Sequence, residues 1–222
     1  VGSIGHIGAW SFCQDKIMTT GGEGGMVTTN DEQLWRKMWA YKDHGKSYAA
    51  VYETEHPPGY RWLHESFGTN WRMTEMQGVI GRIQLERMSD WTAKRTANAH
   101  AILDACTKWE TKKSYLSVPR LEASSLFSDS KHAYYKLYVY VQSENLPDDW
   151  SRDRIITEIN EQGVPCFSGS ASEVYLEKAF DNTGLRPEPR FSVGKQLGET
   201  SLMLLVHPTL TAAEIEKTVK AI

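Results

Sequence analysis

The chain has 222 residues, 40% hydrophobic and 24% charged, with a formal net charge of −3; this composition belongs to folded globular proteins and excludes disorder as the default. The charge balance and the lack of a Lys/Arg stripe exclude a nucleic-acid partner, and no apolar stretch is long enough to span a bilayer. The three cysteines, Cys13, Cys106 and Cys166, are too scattered for a disulfide framework or a zinc site, which points to a reducing, cytoplasmic setting.

Residues 7–13, IGAWSFC, are apolar and small and read as a buried strand. Residues 25–29, GMVTT, read as a second strand. Between them lies SFCQDKIMTTGGEGGMV, with one lysine, Lys16, ahead of four glycines. Asn30 or Asp31 caps a helix with Leu34, Trp35, Met38 and Trp39 on one face, and Gly45 ends it. Residues 46–69 are loop-like. The segment NWRMTEMQGVIGRIQLERM then predicts a helix, with Thr74 and Gln77 as a capping box and Met73, Met76, Ile80 and Ile83 at helical spacing. Gly78 and Gly81 cost helix propensity, which close packing of another element would explain. A further helix is expected at roughly 90–108.

After residue 110 the pattern changes. Residues 111–131 are polar and loop-like, and HAYYKLYVYVQ (132–142) alternates as a strand with Tyr135, Leu137, Val139 and Val141 on one face. Ser151 starts a helix that Gly163 ends. VPCFS and SLMLLV are short strands, and Thr211 with Glu214 caps a last helix carrying Ile215 and Val219. This half reads as a small α+β domain. Trp35, Trp39, Trp91 and Trp109 are assigned to core or interface.

Gly45-Lys46-Ser47 mimics the end of a phosphate-binding P-loop, but Ala40 stands where that motif needs glycine, and a helix precedes it. The histidines form no metal-binding spacing, and no GxSxG elbow is present. Lys16 is different. At a strand end beside a glycine-rich turn, a lysine can bind phosphate as a point charge, or form a Schiff base with an aldehyde cofactor or a carbonyl substrate. Ser11 is placed to donate to a phosphate held near Lys16. The glycines at 21, 22, 24 and 25 allow sharp turning and close approach. A structural loop with a surface lysine carries the same local features.

Read together, SFCQDKIMTTGGEGGMVTTND, KDHG, GTNWRMTEMQGVIGRIQLERM and LVHPTLTAAEI resemble, in order and interval, the pyridoxal-phosphate sugar aminotransferases of the DegT/DnrJ/EryC1/StrS group. The resemblance implies an α/β fold: part of a fold type I PLP-transferase large domain over residues 1–90, then a linking helix and a small α+β C-terminal domain over 91–222. It matches Lys16 to the lysine that forms the Schiff base with pyridoxal phosphate. Ser11 matches the serine on the cofactor phosphate. Asn70 matches an asparagine that reaches the phosphate in the neighbouring subunit's site, and Arg72 matches a position that meets substrate anions. Trp71 replaces the usual tyrosine. CFSGSASEVY (166–175) lies where relatives carry a His-Tyr stretch facing the sugar, and its histidines are missing.

The resemblance further implies an amino acid donor (glutamate), a keto-sugar nucleotide acceptor, a homodimer, and a role in surface-polysaccharide or related amino-sugar synthesis. Lys16 argues against a related branch that carries histidine there and performs a dehydration. Relatives place the aspartate that pairs with the pyridine nitrogen ahead of VGSIGHIGAWSF. The chain is therefore expected to be a piece lacking the front of the cofactor site. The competing expectation is a non-catalytic remnant, or a cofactor-binding regulatory relative, that dimerises and binds a sugar nucleotide or a partner chain.

Overall fold

The computed structural model describes residues 2–59, 62–108, 114–119 and 130–222. Trp109, residues 111–113 and residues 120–129 of the polar stretch lie outside them. The chain divides into two compact units, Val1–Met88 and Ser89–Ile222.

In the first unit, β1 (Gly8–Ser11) and β2 (Gly25–Thr28) pair antiparallel, with Ser11 opposite Gly25. The Lys16 segment therefore connects two adjacent strands. The expectation of a buried strand needs correction: Ala9, Trp10 and Ser11 are exposed. A two-stranded ribbon by itself offers no layer to cover its faces. Helix α1 (Glu32–Lys42) starts where the Asp31 carboxylate accepts the Leu34 N–H at 3.0 Å. Gly45 takes φ 85°, and its N–H reaches the Ala40 carbonyl at 2.7 Å. A Cβ there would sit 1.7 Å from the Ser66 oxygen, so only glycine fits. The stretch after it is not all loop. A π-helical turn at Ala49–Glu53 brings Tyr48 and Tyr52 against the α1 tryptophans, with the Tyr48 ring 5.0 Å from Trp35 and 5.2 Å from Trp39.

Helix α2 runs unbroken over Glu75–Lys108. The capping box forms as expected: Gln77 N–H donates to Thr74 Oγ1 at 3.3 Å, and Thr74 N–H donates to Gln77 Oε1 at 2.9 Å. The separate helix expected near 90 does not exist. Ser89-Asp90 resembles a helix start, yet no proline or glycine between Gly81 and Lys108 forces a break. Met76, Ile80 and Ile83 do not form a buried face; they are 76%, 36% and 46% exposed.

The second unit holds an antiparallel sheet in the order β3-β4-β6-β5, made of Leu116–Ser117, Leu137–Val141, Ser201–Leu204 and Cys166–Phe167. Strand β4 alternates as its sequence predicts, with Leu137, Val139 and Val141 buried, although it begins at Leu137 and leaves Tyr135 ahead of it. Strand β6 lies between β4 and β5 and is buried throughout, as a central strand with both faces covered must be. Leu202, Leu204, Val206 and Ile102 of α2 join these residues in one core. Helices α3 (Arg152–Glu161) and α5 (Ala212–Ala221) add Ile159 and Ile215, capped by Ser151 and by the Thr211–Glu214 capping box. Helix α4 (Ser192–Thr200) was not expected; Gly194 and Gly198 hide its periodicity.

A polar clamp shapes the segment between β5 and α4. The Glu173 carboxylate pairs with Arg190 and accepts from the Tyr175 hydroxyl at 2.5 Å. Arg186 ties the same segment through the carbonyls of Tyr175, Leu176 and Glu177. The Arg190 guanidinium first, and the Tyr175 hydroxyl second, hold the Glu173 carboxyl down at about 2. A depressed carboxyl stabilises the folded state above its ordinary value of 4.5, and that contribution is lost as pH falls toward 2.

Two outcomes check this unit. Leu204→Ala, at a fully buried core position, is expected to lower unfolding free energy by about 2–5 kcal/mol in denaturant melts. Arg190→Gln is expected to move the Glu173 titration, followed by carboxyl carbon NMR, upward toward the usual carboxylate range. An unmoved midpoint would mean the pair does not form.

Candidate active site

The Lys16 connection is built from short-range bonds. Ser11 Oγ accepts the Cys13 N–H at 3.4 Å, and the Cys13 carbonyl accepts the Lys16 N–H at 3.1 Å. The chain thus turns straight after β1 and carries Ser11 and Lys16 on one bend. Phe12 closes the loop: its N–H donates to the Gly24 carbonyl at 2.8 Å, and its carbonyl accepts the Thr20 N–H at 3.2 Å. Thr20 is buried, and its hydroxyl donates to the Glu23 carbonyl at 3.1 Å. Gly21 and Gly22, at φ 85° and 149°, supply the turn that the glycine run predicts.

The loop rests on the first turns of α2. Gln84 Oε1 accepts the Thr19 N–H at 2.8 Å, and Gln77 Nε2 donates to the Glu23 carbonyl at 2.7 Å. Between them Gly81 is buried, and a Cβ there would meet Thr20 Cγ2 at 3.1 Å and Met18 Cε at 3.5 Å. Gln77, Gly81 and Gln84 share one face, since residues four and three apart on a helix are neighbours. The sequence reading gave Gln77 only its capping role and missed Gln84, Thr19 and Thr20. The spacing of two amides around a glycine was the available signal.

Lys16 Nζ stands 3.3 Å from Asp15 Oδ1, and the two side chains are 38% and 54% exposed. An ion pair this wet is worth little, so it does not bar the amine from another partner. Ser11 uses an oxygen lone pair toward Cys13, which leaves its hydroxyl hydrogen to donate. One amine and one hydroxyl donor on one short bend fit an aldehyde that also carries a phosphate.

Asn70 and Arg72 form a second cluster around Asp43. Asn70 makes an isolated antiparallel bridge with Asp43. Arg72 Nε lies 3.0 Å from Asn70 Oδ1 and 3.5 Å from Asp43 Oδ1. A guanidinium only donates, so it must face the amide oxygen, which turns the Asn70 NH2 group the other way. That orientation presents a donor, as an anion requires. The structure thus joins Ser11 to Lys16, and Asn70 to Arg72, as two separate clusters. Among the described residues no group of His, Cys, Asp or Glu is placed to hold a metal ion, and no helix is long and apolar enough to cross a membrane.

The model of the DegT/DnrJ/EryC1/StrS aminotransferase family matches residues 1–222. The chain belongs to that family, whose cofactor is pyridoxal phosphate. It is 85% identical to the aminotransferase from Psychrobacter cryohalolentis, whose X-ray structure superposes with a TM-score of 0.96 over the whole chain and 56% of that protein. It is 28% identical to the GDP-perosamine synthase of Caulobacter vibrioides, over the whole chain and 53% of that enzyme. The fold recurs in the E. coli GDP-4-keto-6-deoxy-D-mannose-3-dehydratase, solved with bound hydrated PLP, at 18% identity and a TM-score of 0.73 over the whole chain and 55% of that protein. The chain spans about half the length of the curated relatives it matches.

The two α2 glycines separate helix propensity from packing. Gly78 has nothing within 4 Å of an added Cβ, so Gly78→Ala is expected to stabilise by about 0.5–1 kcal/mol. Gly81→Ala is expected to gain less, because Thr20 and Met18 must yield. Equal gains in thermal melts would show that the loop does not bear on Gly81.

Proposed function

We propose that this chain is the lysine-bearing part of a pyridoxal-phosphate sugar aminotransferase, which moves an amino group from an amino acid, glutamate in the first instance, to a keto-sugar nucleotide. The observation that carries the reading is Lys16 on the same short bend as Ser11, at the end of β1. The cofactor, when bound, supplies the electron sink that makes a proton on the substrate carbon removable. Lys16 would hold that group through its ε-amine, and its Nζ would take and return the substrate proton. Ser11 would hold the phosphate through its hydroxyl hydrogen. The NH2 group of Asn70 would add a donor to the phosphate in the neighbouring subunit's site, and the active form would then be a homodimer. Arg72 orients that amide and would meet an anionic substrate. Lys16 keeps the chain apart from relatives that dehydrate with a histidine at this position. The names of the relatives, among them a perosamine synthase and a spore coat polysaccharide protein of Bacillus subtilis, support a role in surface-polysaccharide or related amino-sugar synthesis, and the three free cysteines favour a reducing, cytoplasmic setting for it. Residues 1–90 then serve as the rear part of the cofactor domain and 91–222 as the linking helix and small domain.

Incubation with pyridoxal phosphate, borohydride reduction and peptide mapping test the reading. The reduced adduct is expected on Lys16 and is expected to vanish in Lys16→Ala. Ser11→Ala is expected to weaken cofactor binding by about 10- to 100-fold, the worth of one hydrogen bond to a charged group. An adduct spread over many lysines would overturn the assignment. Pyridoxal phosphate bound at Lys16 without amine transfer from any amino acid would favour the regulatory reading.

A further inference from the structure

We infer that Gln77 and Gln84 are positioning residues that fix Lys16 from behind, by clamping the glycine turn that follows it, at Thr19 and Glu23, to α2. The proposal rests on the reading of Lys16 as the cofactor lysine and goes beyond it to two side chains whose hydrogen bonds run to Thr19, Glu23 and Thr74.

The chemistry of each contact is determined. The Thr19 N–H can only donate, so Gln84 must offer its oxygen. The Glu23 carbonyl can only accept, so Gln77 must offer its nitrogen. The oxygen of Gln77 is already committed to the Thr74 N–H and hydroxyl, at 2.9 and 3.1 Å. One side chain therefore caps the helix with one end and holds the loop with the other. The two anchored groups, Thr19 and Glu23, bracket the turn at Gly21 and Gly22. Thr20 between them is buried against Gly81. Upstream, the Thr20 N–H and the Thr19 hydroxyl both return to the Phe12 carbonyl, next to Ser11. The path from α2 to the Ser11–Lys16 bend is thus continuous: amide to Thr19, Thr19 to Phe12, Phe12 to the strand end. A side chain that must meet a cofactor within a fraction of an ångström needs such backing.

Opposite hydrogen-bond polarity gives a crossed test. Glutamate at 84 keeps an acceptor for Thr19. Glutamate at 77 keeps the helix cap but loses the donor to Glu23. The variants Gln84→Leu, Gln84→Glu and Gln77→Glu are compared with wild type in three readouts: amide hydrogen exchange over residues 12–25, release rate of pyridoxal phosphate from Lys16, and unfolding midpoint. Gln84→Leu and Gln77→Glu are expected to speed Thr19 exchange and cofactor release by about tenfold, near the loss of one hydrogen bond. Gln84→Glu is expected to behave as wild type, and Gln77→Glu to keep the wild-type midpoint. Equal behaviour of the two glutamate variants would overturn the proposal, as would faster exchange with unchanged cofactor release. Should wild-type protein take no pyridoxal phosphate on Lys16, the functional reading falls on its own, and the exchange pattern alone decides whether the clamp exists.

Discussion

A loop between two strands of an otherwise exposed ribbon has no core of its own. The connection that carries Lys16 depends on one contact surface, the Gln77–Gly81–Gln84 face of α2. The contact is small and mostly polar. It works because the Thr19 N–H meets the Gln84 oxygen and the Gln77 NH2 group meets the Glu23 carbonyl, and because a missing side chain at Gly81 lets Thr20 sink to full burial. Rigidity at Lys16 thus comes from hydrogen-bond satisfaction and close approach, since apolar burial is scarce here. Between residues 2 and 88, Ala50 and Leu63 are the buried large or small hydrophobic side chains among the described residues.

The second unit is stabilised differently. Its sheet places Leu137, Val139, Leu202 and Leu204 in one core with Ile102 of α2. There the stability follows the buried apolar area, and polar groups serve as locks. Ser201 is buried on the central strand and donates to the Ser168 carbonyl at 2.6 Å. Glu173 and Arg190 fix the segment that follows β5. That segment leaves apolar and aromatic side chains, Val174 and Phe191 among them, exposed.

Much of this was legible in the sequence, for local reasons. Caps at Asp31, Ser151 and Thr211 use side chains a few residues from their targets, so spacing alone reveals them. The alternation of Leu137, Val139 and Val141 follows from the pleat. Lys16 and Ser11 were visible as a pair because one bend joins them. The misses have the opposite character. The burial of β1 was misjudged because apolar composition does not say whether a covering layer is present. Two helices are predicted where one α2 runs, since helical spacing marks each stretch and not its continuity with the next. Helix α4 was hidden by two glycines, one of which sits against Ser172 with no room for a Cβ. Gln84 was passed over because its partner is 65 residues away, a distance no local pattern reports.

The central claim is that this seated bend is where the cofactor attaches. The most direct measurement is a crystal structure of the protein grown with pyridoxal phosphate. The account predicts density continuous with Lys16 Nζ, a phosphate within hydrogen-bond distance of Ser11 Oγ, and the loop from Thr19 to Glu23 unmoved on α2. Pyridoxal phosphate lodged elsewhere, or a Lys16 bend lifted away from Gln77 and Gln84 to receive it, would contradict the account.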